Sequence, residues 1–149
     1  MTPAPQPKPP AQSVVEMAQL LLPGDANSLG AAFGGTVISW IDICAAIAAQ
    51  RHCRQTAVTA SMDELHFHAP IKVGWNQILK ARVLAAFTSS MEIGVTVHSE
   101  NPLTGERTLT TSALMPGDTV TDDVLVSNIG SAQLRYALST SSTNADAKD

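Results

Sequence analysis

The residue best suited to acid–base chemistry in this sequence is Asp42, which interrupts an apolar stretch running from Val37 to Ala49. A carboxylate in such surroundings loses hydration, so it must face solvent, pair with another group or be held for a function. Held for a function, it could act as a general base or as a nucleophile. A structural aspartate that points outward, or that bonds to a neighbouring strand, is the alternative that the pattern leaves open.

Two glycines, Gly34 and Gly35, precede Asp42 by about two helical turns, where a helix is predicted to begin. The first N–H groups of a helix have no partner within it and carry the positive end of the helix dipole. Because glycine lets a ligand oxygen approach the backbone closely, these N–H groups could stabilise a developing oxyanion. A glycine pair that only packs tightly in a loop is the alternative.

Asn27 lies in the loop that leads into this helix, three residues before Gly30. The loop opens with Leu22-Pro23-Gly24-Asp25, a combination typical of a turn. A loop asparagine is usually a turn or cap residue, and the functional alternative is an amide that orients a substrate or a water molecule. The spacing therefore offers a carboxylate, an oxyanion site and an amide within one short segment.

The elements that must position these residues are one helix and several strands. Thr36 to His52 contains no proline or glycine and is apolar around nearly its whole circumference, which predicts a buried helix that needs cover on every side. One curled sheet is expected to leave part of it bare, which predicts a homo-oligomer. Ser13–Leu21 fits either a first strand or a short helix. Composition and alternation predict the later strands Ala57–Phe67, Ile78–Phe87, Ser90–Ser99 and Arg107–Met115. One long helix followed by an antiparallel meander indicates an α+β fold, with the sheet wrapped around the helix.

The chain of 149 residues is predicted to form one domain with disordered ends. Residues 1–12 hold five of the nine prolines, which indicates an extended, disordered arm. The ordered domain is expected over residues 13–115. Residues 116–149 are expected to be an extension, mostly disordered after residue 136, where the composition becomes small and polar.

Composition argues against several kinds of partner and site. The net charge of −4, with nine Lys and Arg, predicts no basic face for nucleic acid. No apolar run approaches the ~20 residues of a membrane span, and the proline-rich start is no signal peptide, so a cytoplasmic protein is expected. Cys44 and Cys53 lie on opposite sides of the predicted helix and cannot bridge each other. His66 and His68 share a strand face without a Cys or carboxylate cluster, so no metal site is expected.

The pattern Asn27-x2-Gly30-x2-Phe33-Gly34-Gly35-x6-Asp42 resembles that of the hotdog-fold acyl-CoA hydrolases, the acyl-CoA thioesterases. In that family such a segment follows a Pro-Gly turn and runs into a long central helix that bears an aspartate. The resemblance covers roughly residues 14–115. Further matches are Pro23, Gly24, Asp25, Trp40, Val58-Thr59-Ala60-Ser61, Phe67, Pro70, Gly74 and Ser90-Met91-Glu92. Departures from the family pattern occur at Gly74-Trp75, Phe87 and Pro116-Gly117-Asp118.

The resemblance implies hydrolysis of an acyl-CoA thioester to a free acid and CoA, without a cofactor. Asp42 is implied as general base or nucleophile, Asn27 as the orienting residue, and the amides of Gly34 and Gly35 as the oxyanion site. Contacts to the substrate or to CoA are implied for Ser90, Thr59, Arg51, Arg54, Lys72 and Arg82. The active form is implied to be a homo-oligomer, a dimer or a trimer of dimers, in which one site draws residues from two subunits.

Two other functions fit a hotdog domain. A hydratase or dehydratase would rely on a catalytic histidine, and the helix region offers none near Asp42. A binding module that senses acyl-CoA without cleaving it would be expected to lack that carboxylate. Release of free thiol from acyl-CoA would separate both from a hydrolase.

Overall fold

The computed structural model describes residues 7–62, 65–113 and 134–138, which form one long helix and seven strands. The helix, α1, is Gly34–Cys53. The strands are β1 Val15–Leu20, β2 Ala57–Met62, β3 His66–Phe67, β4 Asn76–Ala86, β5 Ser90–Glu100, β6 Arg107–Ala113 and β7 Leu134–Leu138. Short 3-10 turns at Pro10–Ser13 and Pro23–Asp25 precede β1 and α1.

The strands form one antiparallel sheet whose main order is β1-β4-β5-β6-β3. The edge of β5 that faces β6 is shared, because its residues 90–93 pair with β7 and its residues 95–100 pair with β6. β7 also pairs with β2. Register shifts within the β4–β5, β5–β6 and β2–β7 pairings mark bulges, which bend strands. A long helix packed on a bent antiparallel sheet is the hotdog arrangement, so the predicted α+β fold is confirmed.

The core lies between one face of α1 and the strands beneath it. The buried helix residues recur at spacings of three and four: Val37, Ile41, Cys44, Ala45, Ala48 and Ala49. Leu79 on β4, with Ile93 and Val97 on β5, is fully buried in the same cluster. Each large apolar side chain buried in this way contributes about 1.5–3 kcal/mol to stability. This interface fixes how far α1 stands above the sheet.

As expected for a single chain, one sheet leaves part of the helix bare. Ile38 is 37% exposed and Ile43 is 49% exposed, on faces that the chain's own sheet does not reach. The sequence pattern counts apolar residues around the helix but does not tell which of them one sheet can cover. Within the described residues, no helix combines the length and the apolarity needed to cross a membrane.

The helix also starts earlier than the predicted Thr36, because Gly34 and Gly35 form its first turn. The N–H groups of Thr36 and Val37 donate to the Phe33 carbonyl at 3.0 and 3.3 Å. Glycine costs about 1 kcal/mol relative to alanine within a helix, and the packing of the buried face outweighs that cost here. At the other end, Arg54 adopts a left-handed conformation with φ of 56°, and its N–H donates to the Gln50 carbonyl at 2.8 Å.

The strand predicted over Ala57–Phe67 is two strands with different partners. β2 pairs with β7, whereas the two residues of β3 pair with β6. Composition gives the same signal in both pieces, and only the tertiary pairing separates them. The strands predicted over Ile78–Phe87 and Ser90–Ser99 are present with bounds shifted by one or two residues. The strand predicted over Arg107–Met115 ends at Ala113 within the described residues.

The chain ends are partly described. Residues 1–6, 114–133 and 139–149 lie outside the described residues, as do 63–64. The ambiguous segment Ser13–Leu21 is largely strand β1, preceded by the turn at Pro10–Ser13. Ser13 is buried, and the turn that it ends packs against α1. Within the predicted extension 116–149, the structure describes β7.

Candidate active site

Asp42 lies in the third turn of α1, half-buried, on the side of the helix that faces β2. The hydroxyl of Thr59 on β2 donates a hydrogen bond to the Asp42 carboxylate oxygen Oδ1. A register shift between Thr59 and Ser61 marks a bulge at this point of β2, and bulges commonly re-aim a side chain. Sequence reasoning grouped Thr59 with substrate contacts, whereas the structure sets it against the carboxylate. A hydroxyl donor at Oδ1 helps to fix the rotamer of Asp42.

The first turn of α1 presents two backbone N–H groups, those of Gly34 and Gly35. Within the described residues neither N–H has a hydrogen-bond partner. A Cβ atom built on Gly35 would meet nothing within 4 Å, and one built on Gly34 would lie 3.6 Å from the Phe67 ring. The chain's own packing therefore does not require glycine at position 35. Glycine at this position leaves room for close approach by a ligand or by a second chain.

The side chain of Asn27 stabilises the loop that precedes α1. Its Oδ1 accepts hydrogen bonds from the N–H groups of Leu29 at 2.9 Å and Ala31 at 3.2 Å. Gly30, with φ of +74°, takes the left-handed conformation that closes this turn. The carbonyl of the Asn27 side chain is thus used by its own loop. The amide Nδ2 is the part of the side chain that remains to donate to a ligand.

A cavity of about 350 Å³ lies beside the start of α1. Its walls come from the loop before the helix, from the first turn of the helix, and from the segment that follows β3. The lining residues are Ala31, Ala32, Gly34, Val37, Phe67, His68, Ala69, Pro70 and Ile71. An apolar cavity that includes Gly34 can hold the apolar part of a substrate next to the free amide groups.

One chain does not bring all of these residues together. Asp42 follows Gly34 by eight residues, which corresponds to about 12 Å along the helix axis. A carbonyl oxygen held by the amides of the first turn is therefore out of reach of that chain's own Asp42. The geometry suits a site in which the carboxylate and the amides come from different copies of the chain.

The four basic residues predicted for CoA contacts lie in three places. Arg51 and Arg54 are at the C-terminal end of α1, where the Arg51 guanidinium donates to the Val14 carbonyl at 3.0 Å. Lys72 lies near the start of α1, with its ammonium 4.9 Å from the centre of the Trp75 ring. Arg82 is exposed on β4. A single phosphate cannot meet all four within one chain.

Ser90, the remaining predicted contact, is half-buried at the start of β5, in register with Ala137 of β7. This places it on the strand that packs beneath α1, away from the residues that line the cavity.

The cysteines and histidines add no nucleophile and no metal centre within the described residues. Burial, opposed by the charge of Arg51, raises the pKa of the Cys44 thiol to about 12, so the thiol stays protonated at neutral pH. Cys44 and Cys53 are both free, as predicted. Among the described residues, no three His, Cys, Asp or Glu side chains are grouped so as to hold a metal ion. Sequence reasoning gave His68 no role, yet it lines the cavity, a contact that only the folded chain reveals.

Comparison with known sequences gives a family. Residues 29–106 match the model of the thioesterase superfamily. An uncharacterized acyl-CoA thioester hydrolase of Bacillus subtilis (strain 168) is 40% identical over 104 residues, which cover 70% of this chain and 60% of that protein. The chain spans between 15% and 60% of the length of the curated relatives that it matches.

Comparison with solved structures agrees with the family match. A hexameric acyl-CoA thioesterase in its apo form is 36% identical, with a TM-score of 0.73, covering 88% of this chain and 72% of that one. An acyl-CoA hydrolase of Staphylococcus aureus, solved with butyryl-CoA, CoA and CoA disulfide, is 28% identical with a TM-score of 0.71, covering 87% and 67%. Solved variants of the Staphylococcus enzyme replace one aspartate, one threonine and one asparagine with alanine.

Proposed function

Because this chain belongs to the thioesterase superfamily, we propose that it hydrolyses acyl-CoA thioesters to a free carboxylic acid and CoA. The observation that carries the proposal is the hydrogen bond from Thr59 on β2 to Asp42 on α1. The first turn of the same helix presents the amides of Gly34 and Gly35, which have no partner within the described residues. The similarity to enzymes named acyl-CoA thioester hydrolases supports the choice of substrate.

The reaction requires an activated oxygen nucleophile and a place for the carbonyl oxygen. With Asp42 as general base, the carboxylate takes a proton from water while the water oxygen attacks the thioester carbon. With Asp42 as nucleophile, its own oxygen attacks, and water then hydrolyses the mixed anhydride. In both routes the carbon–sulfur bond breaks and the sulfur leaves as a thiolate. Because an ordinary thiol has a pKa near 8.5, this leaving group needs no strong acid and no catalytic histidine.

The amides of Gly34 and Gly35 are suited to the negative charge that develops on the carbonyl oxygen. One such donor contributes roughly 100-fold or more to turnover in acyl transfer. The side-chain amide of Asn27, one loop away, would orient the carbonyl or the attacking water. The variants of the Staphylococcus enzyme replace an aspartate, a threonine and an asparagine. Asp42, Thr59 and Asn27 are the same three residue types, which supports assigning them to the site.

We assign the complete site to a homo-oligomer, a dimer or a trimer of dimers. Two observations support this assignment: the separation of about 12 Å between Asp42 and Gly34 along one helix, and the exposed Ile38 and Ile43 on its outer face. In the assembly, Asp42 of one chain would face the Asn27 loop of its partner. Arg51 and Arg54 at one helix end and Lys72 at the other would then be candidates for the CoA phosphates.

No cofactor enters this proposal. We further propose a cytoplasmic location, which suits the two free thiols of Cys44 and Cys53.

Release of free thiol from a panel of acyl-CoA esters tests the hydrolase. The purified chain should release thiol in proportion to the acid formed, and tight binding of acyl-CoA without thiol release would identify a sensor domain instead. Mixing the impaired Asp42→Asn and Asn27→Ala chains tests the shared site. If each site takes its aspartate and asparagine from different chains, mixed oligomers contain some intact pairs, and activity rises above that of the two variants measured separately. If both residues come from one chain, the mixture shows no more than the average activity of the two variants.

A further inference from the structure

The cavity beside α1 has one polar side chain among its lining residues. Eight of the nine lining residues are apolar or glycine, and the ninth is His68. Small-molecule cavities commonly combine apolar walls with a few polar groups that fix orientation and specificity. His68 is not needed for the thioester chemistry proposed above, so its place in this wall calls for a separate explanation.

His68 is held by its neighbours in a defined orientation. Its backbone N–H donates to the Thr110 carbonyl at 2.7 Å, and its ring Nε2 lies 2.9 Å from the Ser112 hydroxyl. The His66 ring stacks against it, with centroids 6.2 Å apart and planes inclined by 27°. Within the described residues, the second ring nitrogen, Nδ1, has no hydrogen-bond partner. One ring nitrogen is thus anchored and the other remains for a ligand.

The imidazole is suited to a neutral hydrogen bond. Burial, and then the nearby His66, lower the pKa of His68, which favours the uncharged ring at neutral pH. A neutral imidazole can donate or accept at Nδ1, depending on the tautomer that Ser112 selects at Nε2. A hydroxyl or keto oxygen on a ligand can use either state.

The composition of the walls favours the acyl group over the pantetheine arm as occupant. Pantetheine carries two amide groups, each with a donor and an acceptor that need partners. An acyl chain needs apolar walls and, at most, one polar partner, which is what this cavity provides. Gly34, whose amide is proposed to hold the thioester oxygen, lines the same cavity.

We propose that His68 is a specificity-determining residue that selects acyl groups carrying a hydroxyl or keto oxygen near the thioester. The proposal rests on the proposed thioesterase function. An alkyl chain laid against Nδ1 would remove water from that nitrogen without replacing its hydrogen bond, whereas an oxygenated chain replaces it. One such hydrogen bond contributes roughly 0.5–1.5 kcal/mol, which corresponds to about a three- to tenfold preference.

The test compares kcat/KM for 3-hydroxybutyryl-CoA and butyryl-CoA in the full chain. The unmodified protein should prefer the hydroxylated ester by about three- to tenfold. His68→Leu should abolish the preference, by lowering kcat/KM for the hydroxylated ester and leaving that for butyryl-CoA unchanged or raised. His68→Gln keeps a hydrogen-bonding group and should retain part of the preference. His52→Gln, which changes a histidine at the far end of α1, should leave the ratio unaltered.

Equal kcat/KM for the two esters in the unmodified protein would overturn the proposal, as would a loss in His68→Leu that is equal for both. Hydrolysis of butyryl-CoA reports separately on the thioesterase function. If neither ester is cleaved, the proposed function fails, and the dissociation constants of the two esters still decide the selectivity of His68. Similar dissociation constants would then overturn the role of His68 as well.

Discussion

The two ends of α1 differ in whether their free backbone groups find hydrogen-bond partners within the chain. At the C-terminal end, the N–H of Arg54 donates to Gln50, and the Lys8 ammonium donates to the Arg51 carbonyl. At the N-terminal end, the N–H groups of Gly34 and Gly35 have no partner within the described residues, and a cavity lies beside them. One end is closed by the chain itself, whereas the other is open within the described residues.

We interpret this difference as hydrogen bonds used for stability at one end and kept available for the proposed reaction at the other. The segment before β1 folds back on the C-terminal end, and the buried Ser13 hydroxyl lies 2.9 Å from His52 Nδ1. The loop before α1 instead satisfies itself through Asn27 and leaves the first turn of the helix open. Changes at the open end should therefore alter turnover, and changes at the closed end should alter stability.

The largest effect on turnover is expected between the two ends, at Asp42. Asp42→Asn removes the base and the nucleophile and should lower kcat by roughly 100-fold or more. The fold should survive, because the asparagine oxygen can still accept the hydrogen bond from Thr59. Thiol-release kinetics and thermal unfolding of the same preparation check both parts. Full turnover in this variant would rule out the proposed mechanism.

Gly35→Ala should separate stability from activity at the open end. Since a Cβ at position 35 meets no atom of the chain within 4 Å, the substitution should stabilise the helix by about 0.5–1 kcal/mol. The added methyl group should nevertheless lower kcat/KM roughly tenfold or more, because it displaces the carbonyl oxygen from the amides. Gly24→Ala, also free of contacts within 4 Å, is the matched control. Unchanged kcat/KM in Gly35→Ala would show that no ligand approaches this turn.

Asn27→Asp tests whether Asn27 contributes to turnover or only stabilises its loop. The aspartate keeps the oxygen that accepts from Leu29 and Ala31, so the loop should stay folded. It loses the amide donor, so turnover should fall roughly tenfold, less than for Asp42→Asn. Turnover is measured by thiol release and loop integrity by thermal unfolding. If turnover is unaffected, Asn27 acts only as a loop cap.

Ser13→Ala tests the closed end. Loss of the buried hydrogen bond to His52 should lower the free energy of unfolding by about 0.5–1.5 kcal/mol, with turnover unchanged. Ser39→Ala removes an exposed hydroxyl that donates to Thr36 within the helix, and it should have a smaller effect. Denaturant unfolding of the two variants gives the comparison. Equal effects would mean that the N-terminal segment does not support α1.

The smallest effect is expected in the pH dependence of stability. Burial, and then Lys8, lower the pKa of His52, and burial, and then His66, lower that of His68. The unfolded chain therefore binds more protons, so stability should decline as pH falls below about 6.5, the unfolded value. The hydrogen bond with Arg107 is the main cause that lowers the pKa of Glu100. Protonation of this carboxyl should therefore also reduce stability, but in a separate range below about pH 4.5.

Melting temperatures measured between about pH 7.5 and 5.5 check the histidine prediction. His52→Gln and His68→Gln should each flatten the decline. A melting temperature that rises on acidification through this range would contradict it.

Much of the fold was predictable because its signals are local. The apolar run from Val37 to Ala49 gives the helix, and alternation gives β4 and β5, which lie beneath it. The division of Ala57–Phe67 into β2 and β3 was not predictable, because it depends on which strand each piece pairs with, and β2 pairs with β7 whereas β3 pairs with β6. That part of the helix is left bare was predictable, but its identity as the face of Ile38 and Ile43 was not, since a sequence pattern does not tell which side of a helix one sheet covers.

The sequence by itself determined which residues are candidates for the proposed thioester hydrolysis. Asp42, Gly34, Gly35 and Asn27 stand out through residue type and spacing, properties that are complete before the chain folds. Only the tertiary structure decided that Thr59 bonds to Asp42, that His68 lines the cavity, and that one end of α1 is closed while the other is open. These contacts join residues 17 or more positions apart, so they depend on strand register and helix packing, which local patterns do not specify.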